Sequence, residues 1–175
     1  LFFVFLLAYL FWTIVLPDQF VSTVFNIQNN AFESIRAISG NSGAPNAFKI
    51  IFFNNLKVLL LSLLLAVFYG AGAIFVLAWN ASMMGYVIGV LAKNHLGLVA
   101  LPYALLKYSL HGIPEMLAYV TASLAGSILF FAIIKGDIRE GRAKRIFTDV
   151  FIIILISVAL LFVSALIESY ISAAI

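Results

Sequence analysis

The residues best suited to chemistry in this chain sit where polar groups are expensive. Residues 110 to 117 read LHGIPEML, which puts His111 and Glu115 between two long apolar runs. Glu168 lies in the last apolar run, Asn55 and Lys57 open another within FFNNLKVLLL, and Asn80 lies between two more. An imidazole and two carboxylates are ligands that zinc accepts, and three protein ligands plus water form a catalytic pattern. The same groups inside a membrane can mark an ion or proton path, or can tie helices together. No HExxH, GxSxG or glycine-rich phosphate loop accompanies them. What they can do therefore depends on the elements that carry them.

Composition fixes the surroundings. Of 175 residues, 65% are hydrophobic and 10% are charged, whereas soluble domains are nearer half apolar and a quarter charged. A chain of this size has too much surface to hide that much apolar area in its own core, so lipid must be the solvent for most of it. Crossing a bilayer as a helix takes about 20 apolar residues. The first stretch, 1–16, is slightly short and begins without Met, so it is expected to be the visible part of a longer helix rather than a signal peptide. Further runs cover about 56–79, 81–110 with an interruption, 113–134 and 150–173. None alternates with the period of a barrel strand. The expectation is an all-α integral membrane bundle of five to six spans, with residues 1–175 forming a single transmembrane domain. With no cysteine, disulfides and thiolate sites are excluded.

Charge placement orients the bundle. The loop 135–149 holds five of the ten basic residues, while the loop 17–49 has only Arg36 and Lys49 against Asp18 and Glu33. By the positive-inside rule, 135–149 is cytoplasmic, and the C-terminus then lies outside. Asp137, Glu140 and Asp149 interrupt the basic loop, which argues against a nucleic-acid partner. In the external loop, Phe20, Val24, Ile27, Ala31, Ile35 and Ile38 recur every three or four residues. That spacing predicts an amphipathic helix, lying on the interface or capping the bundle, within about 18–49. ASMMGYVIGVLA (81–92) is too short to span alone, since twelve helical residues rise only about 18 Å. The segment 81–110 is expected to be broken or re-entrant around Lys93–Gly97. Asn80-Ala81-Ser82 matches a glycosylation pattern but falls on the cytoplasmic side and is set aside.

With that topology, residues far apart in sequence come to one depth. Glu115 is placed in the first outer turn of a helix whose start Pro114 marks, Glu168 in the last outer turn of another, and Asn54, Asn55 and Lys57 at the outer start of a third. Lys107 and His111 directly precede Glu115. Because the helix is expected to start between His111 and Glu115, no helical His-x-x-x-Glu metal pair is assigned. Small residues recur every four at Ser62, Ala66 and Gly70, and at Ala118, Ala122 and Gly126. Ser157, Ser164, Glu168 and Ser172 form one stripe. Such faces let membrane helices pack closely, so they mark the inward sides.

Three stretches also resemble the stage II sporulation protein M family of multi-spanning membrane proteins. FFNNLKVLLL (52–61) is similar to the family's Asn-x-basic-Val helix start. LHGIPEMLAYVTASLAG (110–126) is similar to its His-Gly-x-x-Glu segment, and SALIESYISAAI (164–175) to its closing Ala-x-x-Glu segment. Together they cover roughly 50–175. Two departures are Asn80-Ala81, where Asn-Gly is frequent, and Lys57, where Arg is common. By resemblance His111, Glu115, Asn55, Glu168 and Asn80 fall on motif positions. The resemblance implies a multipass scaffold or assembly subunit, the namesake belonging to a membrane complex with a peptidoglycan-degrading partner. A non-enzymatic scaffold in the cell membrane, in contact with lipid and a protein partner, is the leading expectation. A transporter or channel for an ion or small solute comes second. A metal-dependent intramembrane hydrolase using His111, Glu115 and Glu168 comes third. A twofold homo-oligomer is expected only as the commonest arrangement. No pattern names a cofactor, substrate or ion.

Overall fold

The computed structural model describes residues 1–40, 44–70, 72–93, 101–137 and 142–172. Every regular element among them is a helix: α1 (Phe2–Val15), α2 (Asp18–Val24), α3 (Asn26–Gly40), α4 (Ala44–Tyr69), α5 (Gly72–Leu91), α6 (Leu101–Lys135) and α7 (Ala143–Leu166). A π-helical turn, Ile167–Ser172, continues α7. Four helices are long and apolar enough to cross a membrane: 45–69, 73–91, 101–135 and 143–170. The apolar α1 is shorter. Their outer faces carry large apolar side chains such as Phe68, Phe75, Ile134 and Phe151, as a lipid solvent requires. The protein is a multi-pass helical membrane protein.

Element boundaries differ from the sequence expectation at two places. The run 56–79 is not one helix. Gly70 adopts φ +72° and its N–H donates to the Ala66 carbonyl, which closes α4 with the left-handed residue that glycine takes without a steric penalty. Asn80 and the ASMMGYVIGVL stretch therefore belong to one continuous helix, α5, rather than to a loop followed by a short arm. The second difference is Pro114, which lies inside α6 instead of opening a helix. The expected break at 94–97 lies outside the described residues.

The seams between helices are set by residues without bulk. A Cβ on Gly89 would come within 2.6 Å of Thr13 Cβ, and one on Gly85 within 2.8 Å of Tyr9 Cβ. Residues 9 and 13 thus meet 85 and 89 in the same order, so α1 and α5 run parallel. This Gly-x-x-x-Gly pair escaped the sequence reading although its spacing is the packing signal itself. The α4–α6 seam is as tight. A Cβ on Gly126 would lie 2.5 Å from the Leu63 carbonyl oxygen and 2.7 Å from Ala66 Cβ. Ser62 Oγ contacts Ser123 Oγ at 2.5 Å and donates to the Tyr119 carbonyl at 3.2 Å. Ser62, Ala66, Ala118, Ala122, Ser157 and Ser164 are all fully buried, so the small-residue faces do turn inward.

The amphipathic segment is helical but split at Phe25, whose φ of −104° and ψ of 23° end α2. The face turned inward lies one residue along from the expected stripe. Val21 and Phe25 pack against Tyr86 and Val87 of α5, while Phe20, Val24 and Ile27 face outward. Lys93 anchors the same region, with Nζ 2.6 Å from the Asp18 carboxylate and donating to the Leu16 carbonyl. Gly126→Val should lower stability in detergent by about 1–3 kcal/mol, because the added atoms meet backbone that cannot retreat. Leu124→Val, on the exposed neighbouring face, should change it by less than about 0.5 kcal/mol. Thermal unfolding of the two variants would separate a real seam from a loose contact.

Candidate functional site

A cavity of about 540 Å³ opens between α3, α4, α5, α6 and the π-helical turn. Each wall follows from the seams just described. The α4–α6 register that sets Ser62 on Ser123 carries Asn55 toward Glu115, since both pairs lie about sixty residues apart. Uninterrupted α5 brings Asn80 to the same space. The close of α7 as a wide π-turn delivers Glu168, and such turns are frequent at functional sites. Asn54, Asn55, Asn80, His111, Glu115 and Glu168 all line this cavity.

One residue grouped with them in sequence stands apart. Lys57 is exposed and is not part of the lining. The Lys107 side chain lies outside the described residues. Glu168 and Glu115 share the cavity, and among the described residues no lysine or arginine lines it.

Glu115 has one firm partner. Tyr119 Oη donates to Glu115 Oε1 at 2.6 Å, and Tyr119 is fully buried. A tyrosine four residues on faces the same side of a helix, so the pair was available in the sequence and was overlooked. Pro114 contributes indirectly. It has no N–H for the Leu110 carbonyl and disturbs the helix around it. One turn away Ser164 Oγ donates to the His111 carbonyl at 2.7 Å. A neighbouring serine supporting the backbone near a proline is how membrane helices tolerate such a residue. His111 also meets the Tyr108 ring edge-on, with centroids 6.1 Å apart.

The other carboxylate and amides are less engaged. Asn80 Nδ2 donates to the Val76 carbonyl at 2.9 Å, which leaves its amide oxygen available. Asn55 is 8% exposed, and among the described residues neither its amide nor the Glu168 carboxyl has a hydrogen-bond partner. Among the described residues no fully enclosed side-chain nitrogen or oxygen is left unsatisfied, so these unpaired groups reach the cavity surface. The remaining lining is apolar and aromatic. It includes Trp79, Tyr108 and the chain's three methionines, Met83, Met84 and Met116. Part of the cover comes from α3, which contributes Ala31 and Phe32. Gln28 bonded to Ser82, and Asn29 bonded to Tyr86, hold α3 against α5.

For metal chemistry the decisive point is spacing. Among the described residues, no group of three His, Cys, Asp or Glu side chains is placed to hold a metal ion. His111, Glu115 and Glu168 thus border one cavity without converging on one point.

Fold and cavity together define a multi-pass helical membrane protein with polar side chains gathered between its helices. The stage II sporulation protein M family matches the chain over residues 1–173, and the chain belongs to that family. The match takes in α1 to α3, beyond the stretch of roughly 50–175 that the motifs covered. No curated protein and no solved structure matches the chain.

Tyr119→Phe should destabilise the folded protein by about 1–3 kcal/mol, because it strips a buried carboxyl oxygen of its donor. In a Glu115→Leu background, which has no acceptor for the Tyr119 hydroxyl, the same change should cost measurably less, since the two residues act as a pair. Thermal unfolding of both single variants and the double variant measures this coupling, and strictly additive losses would contradict the bond.

Proposed function

We propose that the protein is a membrane-embedded assembly subunit that holds a partner protein in or against the bilayer. The observation that carries this reading is the family match over residues 1–173, in a family whose namesake belongs to a membrane complex. The basic residues around 135–149 support an orientation with that turn in the cytoplasm and the C-terminus outside. In that orientation α1, α5 and α7 run outward and α4 and α6 inward, consistent with the parallel α1–α5 and α4–α6 seams. The cavity then belongs to the outer half of the bundle.

A second reading, a path or site for a small solute, is favoured by one feature that a scaffold does not need. A purely structural polar network fills its own hydrogen bonds, whereas here Asn55 and Glu168 offer theirs to a cavity of about 540 Å³. Glu115 and Glu168 are the residues on which a path would depend.

The two readings separate in one experiment. An affinity-tagged copy, gently solubilised from its own membranes, should carry a discrete protein in fixed ratio, and folded Glu115→Gln should keep it. Liposomes reconstituted with the purified chain should show no solute flux above empty ones. A copy that purifies alone and drives a flux abolished by Glu168→Gln would replace the assembly reading with the second.

A further inference from the structure

We infer that the cavity bordered by Glu168, Asn55 and Trp79 is a binding site for an organic ammonium group carried on an apolar body. The inference deepens the second reading by naming the ligand class, and it rests on the cavity rather than on transport.

Size comes first. A cavity of about 540 Å³ falls in the range of about 300–1,000 Å³ that small-molecule sites occupy. It is far larger than a bare inorganic ion, and no three-ligand metal group borders it among the described residues. Polarity gives the sign of the ligand. The lining offers two carboxyl groups and the side-chain amides of Asn54, Asn55 and Asn80, with no lysine or arginine among the described residues. With two carboxyl groups and no described cation among the lining residues, the complementary ligand is a cation, either rich in N–H or fully alkylated. Unused capacity supplies the independent evidence. Asn55 is more than nine-tenths buried, borders the cavity and has no hydrogen-bond partner among the described residues. Its amide atoms open onto the cavity, so their hydrogen bonds are available to whatever occupies it.

The remaining wall fits the rest of such a ligand. Trp79 and Tyr108 present rings of the kind that attract ammonium groups. Met83, Met84 and Met116 are adaptable apolar surfaces. His111 also borders the cavity, and an imidazole can accept or donate a hydrogen bond there. Gly112 leaves room for Met84, whose Cε would lie 2.4 Å from a Cβ placed there. The ammonium can belong to a free amine or to a lipid headgroup, and the test distinguishes these sources.

Trp12 is exposed on α1 while Trp79 borders the cavity, so full-length protein with Trp12→Phe reports on the site through Trp79 fluorescence. In an uncharged detergent, 2-phenylethylammonium should shift that fluorescence saturably. Its uncharged counterpart 2-phenylethanol should bind about tenfold or more weakly, and folded Glu168→Gln should erase most of the difference, as loss of a buried charge partner does. If Glu168→Gln does not fold, the amine-against-alcohol comparison on the unaltered site decides alone, with Asn55→Leu as the second variant. In nanodiscs, protection by phosphatidylethanolamine but not phosphatidylglycerol would assign the ammonium to lipid, and competition by neither would assign it to a free amine. Equal affinity for amine and alcohol, or no saturable response to either amine or phosphatidylethanolamine, would overturn the inference. Binding without flux would retain it and remove the transport reading.

Discussion

The structure depends on how closely α4 and α6 approach. Gly126 meets the Leu63 backbone, and Ser62 meets Ser123. In lipid there is little hydrophobic force to bring helices together, so van der Waals contact and interhelical hydrogen bonds must do it. Small side chains permit both. The same contacts set the register of the two helices, and register decides which polar residues face each other several turns away. Asn55 and Glu115 border one cavity because Ser62 and Ser123 touch. A bulky residue in the seam would both weaken the bundle and spread the cavity walls.

Polar groups between these helices are handled in two ways. Some are satisfied internally: Glu115 by Tyr119, the His111 carbonyl near Pro114 by Ser164, and Ser127 by the carbonyls of Gly70 and Ser123. Others, above all Asn55 and Glu168, are left facing open space. The contrast separates architecture from site. Ionisable residues are costly inside a membrane and persist where they serve a pathway or a ligand. The division also explains why α3 matters. Its amphipathic length is pinned to α5 by Gln28 and Asn29, so it covers the cavity while its neighbours Phe20, Val24 and Ile27 remain exposed.

Much of this was legible in the sequence, for physical reasons. Long apolar runs and scarce charge made a helical membrane protein unavoidable, and family motifs marked Asn55, His111, Glu115 and Glu168. Small residues at intervals of four marked the inward faces of α4 and α6. What escaped depends on backbone conformation. The apolar run 56–79 gives no sign in its hydropathy that Gly70 turns left-handed and splits it. Pro114 reads equally as a helix start or as an interior residue, and only the neighbouring Ser164 shows how the interior position is tolerated. The amphipathic segment turns Val21 and Phe25 inward and leaves Phe20 and Val24 outside, because both faces carry apolar residues and spacing alone does not choose between them. Asn80 also falls on a motif position, but the expected gap between the runs ending at 79 and starting at 81 left it between elements, whereas α5 runs through it.

The central claim is the register between α4 and α6. It can be measured directly because the chain has no cysteine. Ser62→Cys paired with Ser123→Cys brings two thiols to positions where the serine oxygens lie 2.5 Å apart, close to what a disulfide needs. Mild oxidation of this pair in native membranes should form an intramolecular disulfide nearly to completion, while Ser62→Cys with Leu124→Cys should remain reduced. Absence of the first crosslink together with efficient formation of the second would mean that the helices meet in another register, and that the cavity is not built as described.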